Sequence, residues 1–138
     1  MMTSSIALTG LARDLAARAE TGKPIRVGVI GSGEMGTDLV TQMSLMTGIE
    51  MAAIATRRPH TALAAMTIAY GEDSRGRTAD SPTQATAAIE AGKIAITSAE
   101  TLVTTPNIDV VIDATGKPGV AADYDLMAME HGKHLVMM

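Results

Sequence analysis

One short stretch constrains this chain more than any other: Gly31-Ser32-Gly33-Glu34-Met35-Gly36. It follows at once on Ile25-Arg26-Val27-Gly28-Val29-Ile30, a β-branched and nearly all-apolar run. Such a run is expected of a strand buried on both faces of a parallel sheet. The pattern then changes period. Met35, Leu39, Met43 and Met46 line one side of a helix expected from about Glu34 to Thr47, which Gly48 closes. A glycine triplet between a buried strand and a helix has a definite physical use. Gly31 permits a tight turn, Gly33 leaves the backbone bare so that a pyrophosphate can approach it, and Gly36 lets the helix pack closely on the strand. The open N–H groups and partial positive charge of the helix N-terminus then face the phosphates. Thr37 can add a hydroxyl donor. The Glu34 carboxylate is expected to point to solvent, where it favours the helix N-terminus.

The rest of the chain repeats the alternation of strand and helix. Ile49–Ala55 reads as a second strand, and Pro59 sits where the next helix begins. Ala62, Leu63, Met66 and Ala69 mark that helix, and Gly71 closes it. Glu72–Asp80 is polar and reads as an exposed loop. Ser81-Pro82-Thr83-Gln84 is a capping-box pattern that starts a helix ending at Gly92. Lys93–Thr97 is a short third strand, and Ser98 caps a short helix through Val103. Ile108–Ala114 is a fourth strand, Pro118 opens a further helix that Gly132 ends, and His134–Met138 is a fifth strand. Alternating elements imply right-handed βαβ units on a parallel sheet. The expected fold is therefore α/β: a Rossmann-type doubly wound parallel sheet of about five strands over residues 24–138. Residues 1–23 hold an extra N-terminal amphipathic helix, with Leu8, Leu11, Leu15 and Ala19 on one face.

Two further segments bear on the ligand. The usual acidic partner of a ribose 2′-hydroxyl lies about 20 residues past the glycines. Here the second strand ends instead in Thr56-Arg57-Arg58. A guanidinium at that place suits a 2′-phosphate, so Arg57 and Arg58 favour NADP over NAD. Ala114, Thr115 and Gly116 lie where the fourth strand ends, at the rim where open α/β sheets bind ligands. They are small enough for a cofactor to lie close. Asp113 is expected to bond neighbouring backbone rather than act as a base. No catalytic residue is evident, and His60, His131 and His134 do not form a metal pattern. Tyr70 and Tyr124 are expected to be half-buried packing residues with exposed hydroxyls.

Composition narrows the classes. With 46% hydrophobic residues over 138 positions the chain can bury one real core. That core must be aliphatic, since there is no Phe or Trp, and eleven Met help to fill it. A net charge of −4 argues against a general nucleic-acid binder. The absence of Cys excludes disulfides, thiolate metal sites and a cysteine nucleophile within these residues. No segment reaches the roughly 18–20 apolar residues that span a bilayer. Arg13 and Asp14 interrupt any signal-like region. A cytoplasmic location is expected, with a dinucleotide as ligand and neither nucleic acid nor membrane as partner. The apolar edge of the last strand and the Leu8, Leu11, Leu15 face point to a homo-oligomer.

These residues together resemble a family. Leu8–Val40, LTGLARDLAARAETGKPIRVGVIGSGEMGTDLV, with VVIDATG at 110–116 and GKHLVMM at 132–138, is similar to the start of homoserine-dehydrogenase-like oxidoreductases of the SAF-domain type. That group includes proteins called deoxyxylulose-phosphate reductoisomerase-like. The resemblance covers nearly the whole chain and is weakest over 60–105. It implies an NADP-binding N-terminal domain followed by a catalytic domain, with the residues that act on substrate beyond Met138. GSGxxGTDL also looks like acylating acetaldehyde dehydrogenases, whose cysteine nucleophile follows the cofactor domain. The expected parent is thus an NAD(P)-dependent oxidoreductase. The alternatives are a nucleotide-sensing module without catalysis and the cofactor domain of an acylating aldehyde dehydrogenase.

Overall fold

A computed structural model describes residues 10–31, 34–71, 75–116 and 118–138. In chain order the elements are α1 (Gly10–Glu20), β1 (Ile25–Ile30), α2 (Glu34–Met43), β2 (Ile49–Ala55), α3 (Pro59–Tyr70), β3 (Gly76–Thr78), α4 (Pro82–Glu90), β4 (Ile94–Thr97), α5 (Ala99–Thr104), β5 (Val110–Asp113), α6 (Pro118–Glu130) and β6 (His134–Met137). The strands form one sheet in the order β3-β4-β2-β1-β5-β6, and every neighbouring pair is parallel. This is the expected Rossmann-type α/β fold, with one strand more than expected.

The extra strand is β3, which lies inside the stretch read as an exposed loop. Its three residues, Gly-Arg-Thr, carry no apolar period, so no sequence pattern announces them. They pair because β4 offers an open edge: the Ile94 N–H donates to the Arg75 carbonyl at 2.6 Å and the Ala79 N–H to the Ile96 carbonyl at 2.9 Å. A Cβ at Gly76 would come within 2.9 Å of both the Ile96 side chain and the Met66 sulfur. The strand fits there because it has no side chain at that point.

The two faces of the sheet are chemically different, which explains why its central strands are apolar throughout. Val27, Val29, Met51, Ile54, Ile94 and Ile96 pack under α2 and α3, against Val40, Met43, Ala62 and Met66. The opposite face presents mainly Ala52, Ala53, Ala55 and Ala95, on which Leu102, Val103, Ala85 and Ile89 rest from α4 and α5. Small residues let those helices sit close. A Cβ at Gly28 would meet the Leu102 side chain at 2.8 Å. The register slips between Val27 and Gly28, where β2 carries the extra Ala52.

Three local expectations change. The Leu8 part of the first helix lies outside the described residues. On α1 only Leu15 is buried, while Leu11 and Ala19 on the same face are exposed. The helix is anchored at one point, where a Cβ on Gly48 would overlap the Leu15 backbone. The helix after the glycine turn ends at Met43 rather than Thr47, and Met46 is exposed beyond it. At α4 the Ser81 hydroxyl accepts from the Gln84 N–H at 3.2 Å, as the capping pattern requires. The Gln84 side chain, however, reaches past Ser81 to the Asp80 N–H at 2.9 Å.

Among the described residues no helix is long and apolar enough to cross a membrane. β6 stands at the sheet edge with Val136 and Met137 exposed.

One buried cation ties the far end of the fold together. Lys133 is 7% exposed, and its Nζ donates to the Thr105 carbonyl at 2.6 Å and the Ile108 carbonyl at 2.8 Å. Burial lowers its pKa, and the nearby Asp109 partly opposes that. Replacing it by Met strands the Ile108 carbonyl and leaves Thr105 with only the long 3.4 Å bond from the Ile108 N–H. Lys133→Met is expected to lower unfolding free energy by about 1–3 kcal/mol in urea titrations. A change within experimental error would remove this tie from the account.

Candidate functional site

The chain reverses its direction of travel across the sheet between β1 and β5. From β1 it steps to β2 and on to β3 at the edge, fills the place between them with β4, then crosses to set β5 on the other side of β1. Helices leave the two strands to opposite sides, so a crevice opens above their carboxyl ends. Gly31 forms one wall of it with φ +102°. A Cβ there would lie 3.3 Å from the Ala114 carbonyl oxygen and 3.5 Å from the Thr115 nitrogen. Backbone therefore faces backbone across the crevice. The turn is held from both sides: the Gly31 N–H donates to the Ala55 carbonyl at 2.8 Å, and the Ala114 N–H donates to the Ile30 carbonyl at 3.0 Å.

The first turn of α2 sits directly on this wall. A Cβ at Gly36 would overlap the Gly31 carbonyl oxygen, so only glycine lets the helix approach so near. Ser32 and Gly33 lie outside the described residues, as do the side chains of Glu34 and Met35. The ends of β1 and α2 on either side of them converge on the mouth of the crevice.

Arg57 and Arg58 follow β2 on the adjoining rim, and both are exposed. Hydroxyls shape their turn. The Thr56 Oγ1 accepts from the Arg58 N–H at 3.0 Å, and the Thr61 hydroxyl donates to the Arg58 carbonyl at 2.7 Å. Among the described residues no carboxylate pairs with either guanidinium. Beside them lies a groove of about 320 Å³, lined by Thr56, Pro59, Thr78, Ala79, Thr97 and Ser98. The Thr97 hydroxyl is buried there without a partner among the described residues. Sequence reasoning missed this groove because one wall is β3. A larger hollow of about 590 Å³ opens at the opposite rim, beside Arg18, Asp109, His131 and Lys133. It lies at the amino ends of the strands, away from the crevice, and the Lys133 ammonium is already engaged by two carbonyls. The residues singled out in the sequence lie at the carboxyl ends of the strands, on the rim away from this hollow.

The last feature is a pair of buried carboxyl groups under the Ala114–Gly116 loop. Asp113, 4% exposed, accepts from the Thr115 N–H at 3.0 Å and from the Thr115 hydroxyl at 2.7 Å, both on Oδ1. Its expected role of bonding nearby backbone is what the structure shows. Asp125 of α6, also 4% exposed, has neither oxygen on a donor among the described residues. Burial pushes its pKa up, and the neighbouring Asp113 adds to this, raising it to about 6. Asp125 carries no sequence signal, since it stands among Tyr124, Leu126 and Met127 in an otherwise ordinary helix. The two tyrosines are half-buried, and Arg75 lies over the Tyr70 ring at 4.6 Å.

No family model matches the chain, and no curated protein matches it in sequence. Solved structures do match in shape. A 3-ketoreductase from Actinomadura kijaniata, solved with NADP, superposes with a TM-score of 0.56 over 83% of this chain at 22% identity. A myo-inositol dehydrogenase from Lactobacillus casei, solved with NAD(H) and myo-inositol, superposes with a TM-score of 0.58 over 83% at 21% identity. These likenesses establish the fold. The chain spans 29% and 28% of the lengths of those two proteins. A homoserine dehydrogenase from Thiobacillus denitrificans superposes less well, with a TM-score of 0.49, and carries no argument for the family named from the motifs.

The raised pKa of Asp125 has a signed consequence. A carboxyl whose pKa is 3.8 unfolded and about 6 folded favours the protonated native state. Its contribution to stability is complete below about pH 4 and is lost as pH rises through 6. Asp125→Asn is close to it in shape and cannot ionise. Its stability relative to the unmodified chain is expected to rise between pH 4 and 7, by up to about 3 kcal/mol. Thermal unfolding across that range checks this, and a variant parallel to the parent at every pH would contradict it.

Proposed function

We propose that this chain is the dinucleotide-binding domain of an NAD(P)-dependent oxidoreductase and that it prefers NADP(H). The observation that carries the reading is the backbone-to-backbone approach of Gly31 and the Ala114–Thr115 peptide at the switch point, under the N-terminus of α2. That contact makes a floor of main chain with no side chain standing on it, so a diphosphate can rest above it against the open amides of α2. In this reading Gly31, Ser32, Gly33, Glu34, Met35 and Gly36 form the diphosphate cradle. Arg57 and Arg58 meet the 2′-phosphate as exposed guanidinium groups without carboxylate partners. Ala114, Thr115 and Gly116 border the nicotinamide end. The solved proteins of like fold that hold NADP and NAD(H) support the choice of ligand class.

When bound, the cofactor supplies hydride transfer to or from a small hydroxy or carbonyl substrate. The chain's own part is to bind it, orient it and shape the electrostatics around it. The motifs of residues 8–40, 110–116 and 132–138 favour a homoserine-dehydrogenase-like or reductoisomerase-like parent. The residues acting on substrate would belong to a catalytic domain outside these 138 residues. The exposed apolar edge of β6 supports association into a homo-oligomer, and a cytoplasmic setting is part of the same proposal.

Titration with NADPH and NADH tests the reading, and the lack of Trp keeps protein fluorescence low. NADPH is expected to bind more tightly. Arg57→Ala should weaken NADPH by about 1.5–3 kcal/mol and leave NADH unchanged, since the lost hydrogen bonds are charge-assisted. Gly36→Ala should weaken both. Equal affinities for the two cofactors would remove the role given to Arg57 and Arg58, and failure to bind either would overturn the assignment.

A further inference from the structure

The crevice wall rests on a pair of buried carboxyl groups. Asp113 holds Thr115 through one oxygen, and the Asp125 carboxyl is its neighbour. Both groups are 4% exposed, and neither forms an ion pair among the described residues. Two ionised carboxylates in that position would repel strongly in a low-dielectric interior. Neither Asp125 oxygen would have a donor, which leaves a buried charge without compensation. One shared proton resolves both difficulties. Hydrogen bonding decides where it resides. Asp113 accepts two hydrogen bonds from Thr115, whereas neither Asp125 oxygen accepts one among the described residues, so the proton belongs on Asp125.

We propose that Asp125, in its acid form, is a positioning residue for the cofactor crevice: it donates to Asp113 and so keeps Asp113 seated on the Thr115 amide and hydroxyl. The proposal rests on the reading of the crevice as a dinucleotide site. Its logic is a chain of contacts: α6 sets Asp125, Asp125 sets Asp113, and Asp113 sets the peptide that faces Gly31. Loss of the proton replaces a hydrogen bond by repulsion and drives Asp113 off Thr115. The wall then loosens where the nicotinamide end of the cofactor would lie.

Among the described residues the surroundings leave Asp113 as the partner that matters. α6 packs against β5, β6 and α5. Of these, β5 brings Asp113. α5 carries Glu100 and β6 carries His134, and both side chains are exposed. On α6 itself Asp123 and Glu130 are exposed, as is His131 just beyond it. Lys133 and Asp109 lie at the other end of β5 and β6, where Lys133 is bonded to the Thr105 and Ile108 carbonyls.

Two measurements on the whole 138-residue chain test this. The first needs no cofactor. Carboxyl-carbon NMR should show Asp125 titrating near 6, and the Thr115 amide resonance should follow the same transition. In Asp125→Asn the Thr115 amide should stay at its low-pH position throughout. In Asp125→Ala, which has no donor, it should depart from that position at every pH. A Thr115 amide indifferent to the Asp125 transition would overturn the proposal, and this result needs only the unmodified chain if a variant does not fold. The second measurement is NADPH affinity from pH 5 to 8 as the ratio of Asp125→Asn to parent, so that titration of the ligand phosphate cancels. The ratio should grow in favour of Asn above about pH 6, by up to tenfold per pH unit. A ratio that stays flat would also overturn it. Absence of NADPH binding at every pH would instead defeat the dinucleotide reading, while the Thr115 titration would still decide the proton's role within the fold.

Discussion

Main chain facing main chain at the end of β1 is the constraint on which the rest of this structure depends. The sheet's hydrogen-bond ladder runs one residue past the strands on both sides: Gly31 bonds to Ala55, and Ala114 bonds to Ile30. These bonds fix the floor of the crevice to the most buried part of the fold. Because Gly31 has positive φ and no Cβ, the chain can turn there and still touch the Ala114–Thr115 peptide. Because Gly36 has no Cβ either, α2 can come down on the turn with its open amides directed at the same space. A side chain at either position would displace backbone, which cannot yield as a flexible side chain can.

The core is arranged to support that geometry. Larger aliphatic and thioether groups fill the space beneath α2 and α3, and alanines on the other face let α4 and α5 approach. In a protein with no Phe or Trp, close approach takes the place of bulk. Burial of both faces makes the strands rigid, and rigid strands hold their carboxyl ends in register. The loops there inherit that precision. Thr56 and Thr61 define the Arg57-Arg58 turn through hydroxyls, and Asp113 defines the Thr115 turn through a carboxylate. Each loop at the rim is thus braced by a short polar side chain rather than by bulk packing.

Much of this was legible in the sequence because it depends on local chemistry. β1, the glycine turn and α2 announce themselves through a change of period and three glycines. Ser81, Ser98 and the prolines mark helix starts, and the glycines after α3, α4 and α6 mark ends with positive φ. What stayed hidden depends on partners distant in the chain. β3 exists because β4 has an edge to fill, and its Gly-Arg-Thr composition is no different from a loop. Leu11 shares a helical face with Leu15, yet only Leu15 is buried, where α1 meets Gly48. Asp125 became visible only once α6 was laid against β5, which brought two carboxyl groups together from positions twelve residues apart. Periodicity cannot report such a meeting. The resemblance named the fold correctly from its most specific segment, while its finer choice of family rests on motifs alone.

The central claim is that the carboxyl-end crevice, and not the larger hollow at the other rim, receives a dinucleotide. Amide chemical-shift mapping of the chain during titration with NADPH tests this most directly. The account predicts shifts concentrated at Gly31, Gly36, Arg57, Arg58, Thr115 and Gly116. Shifts clustered instead around Arg18, His131, Lys133 and His134, or no shifts at saturating ligand, would contradict it.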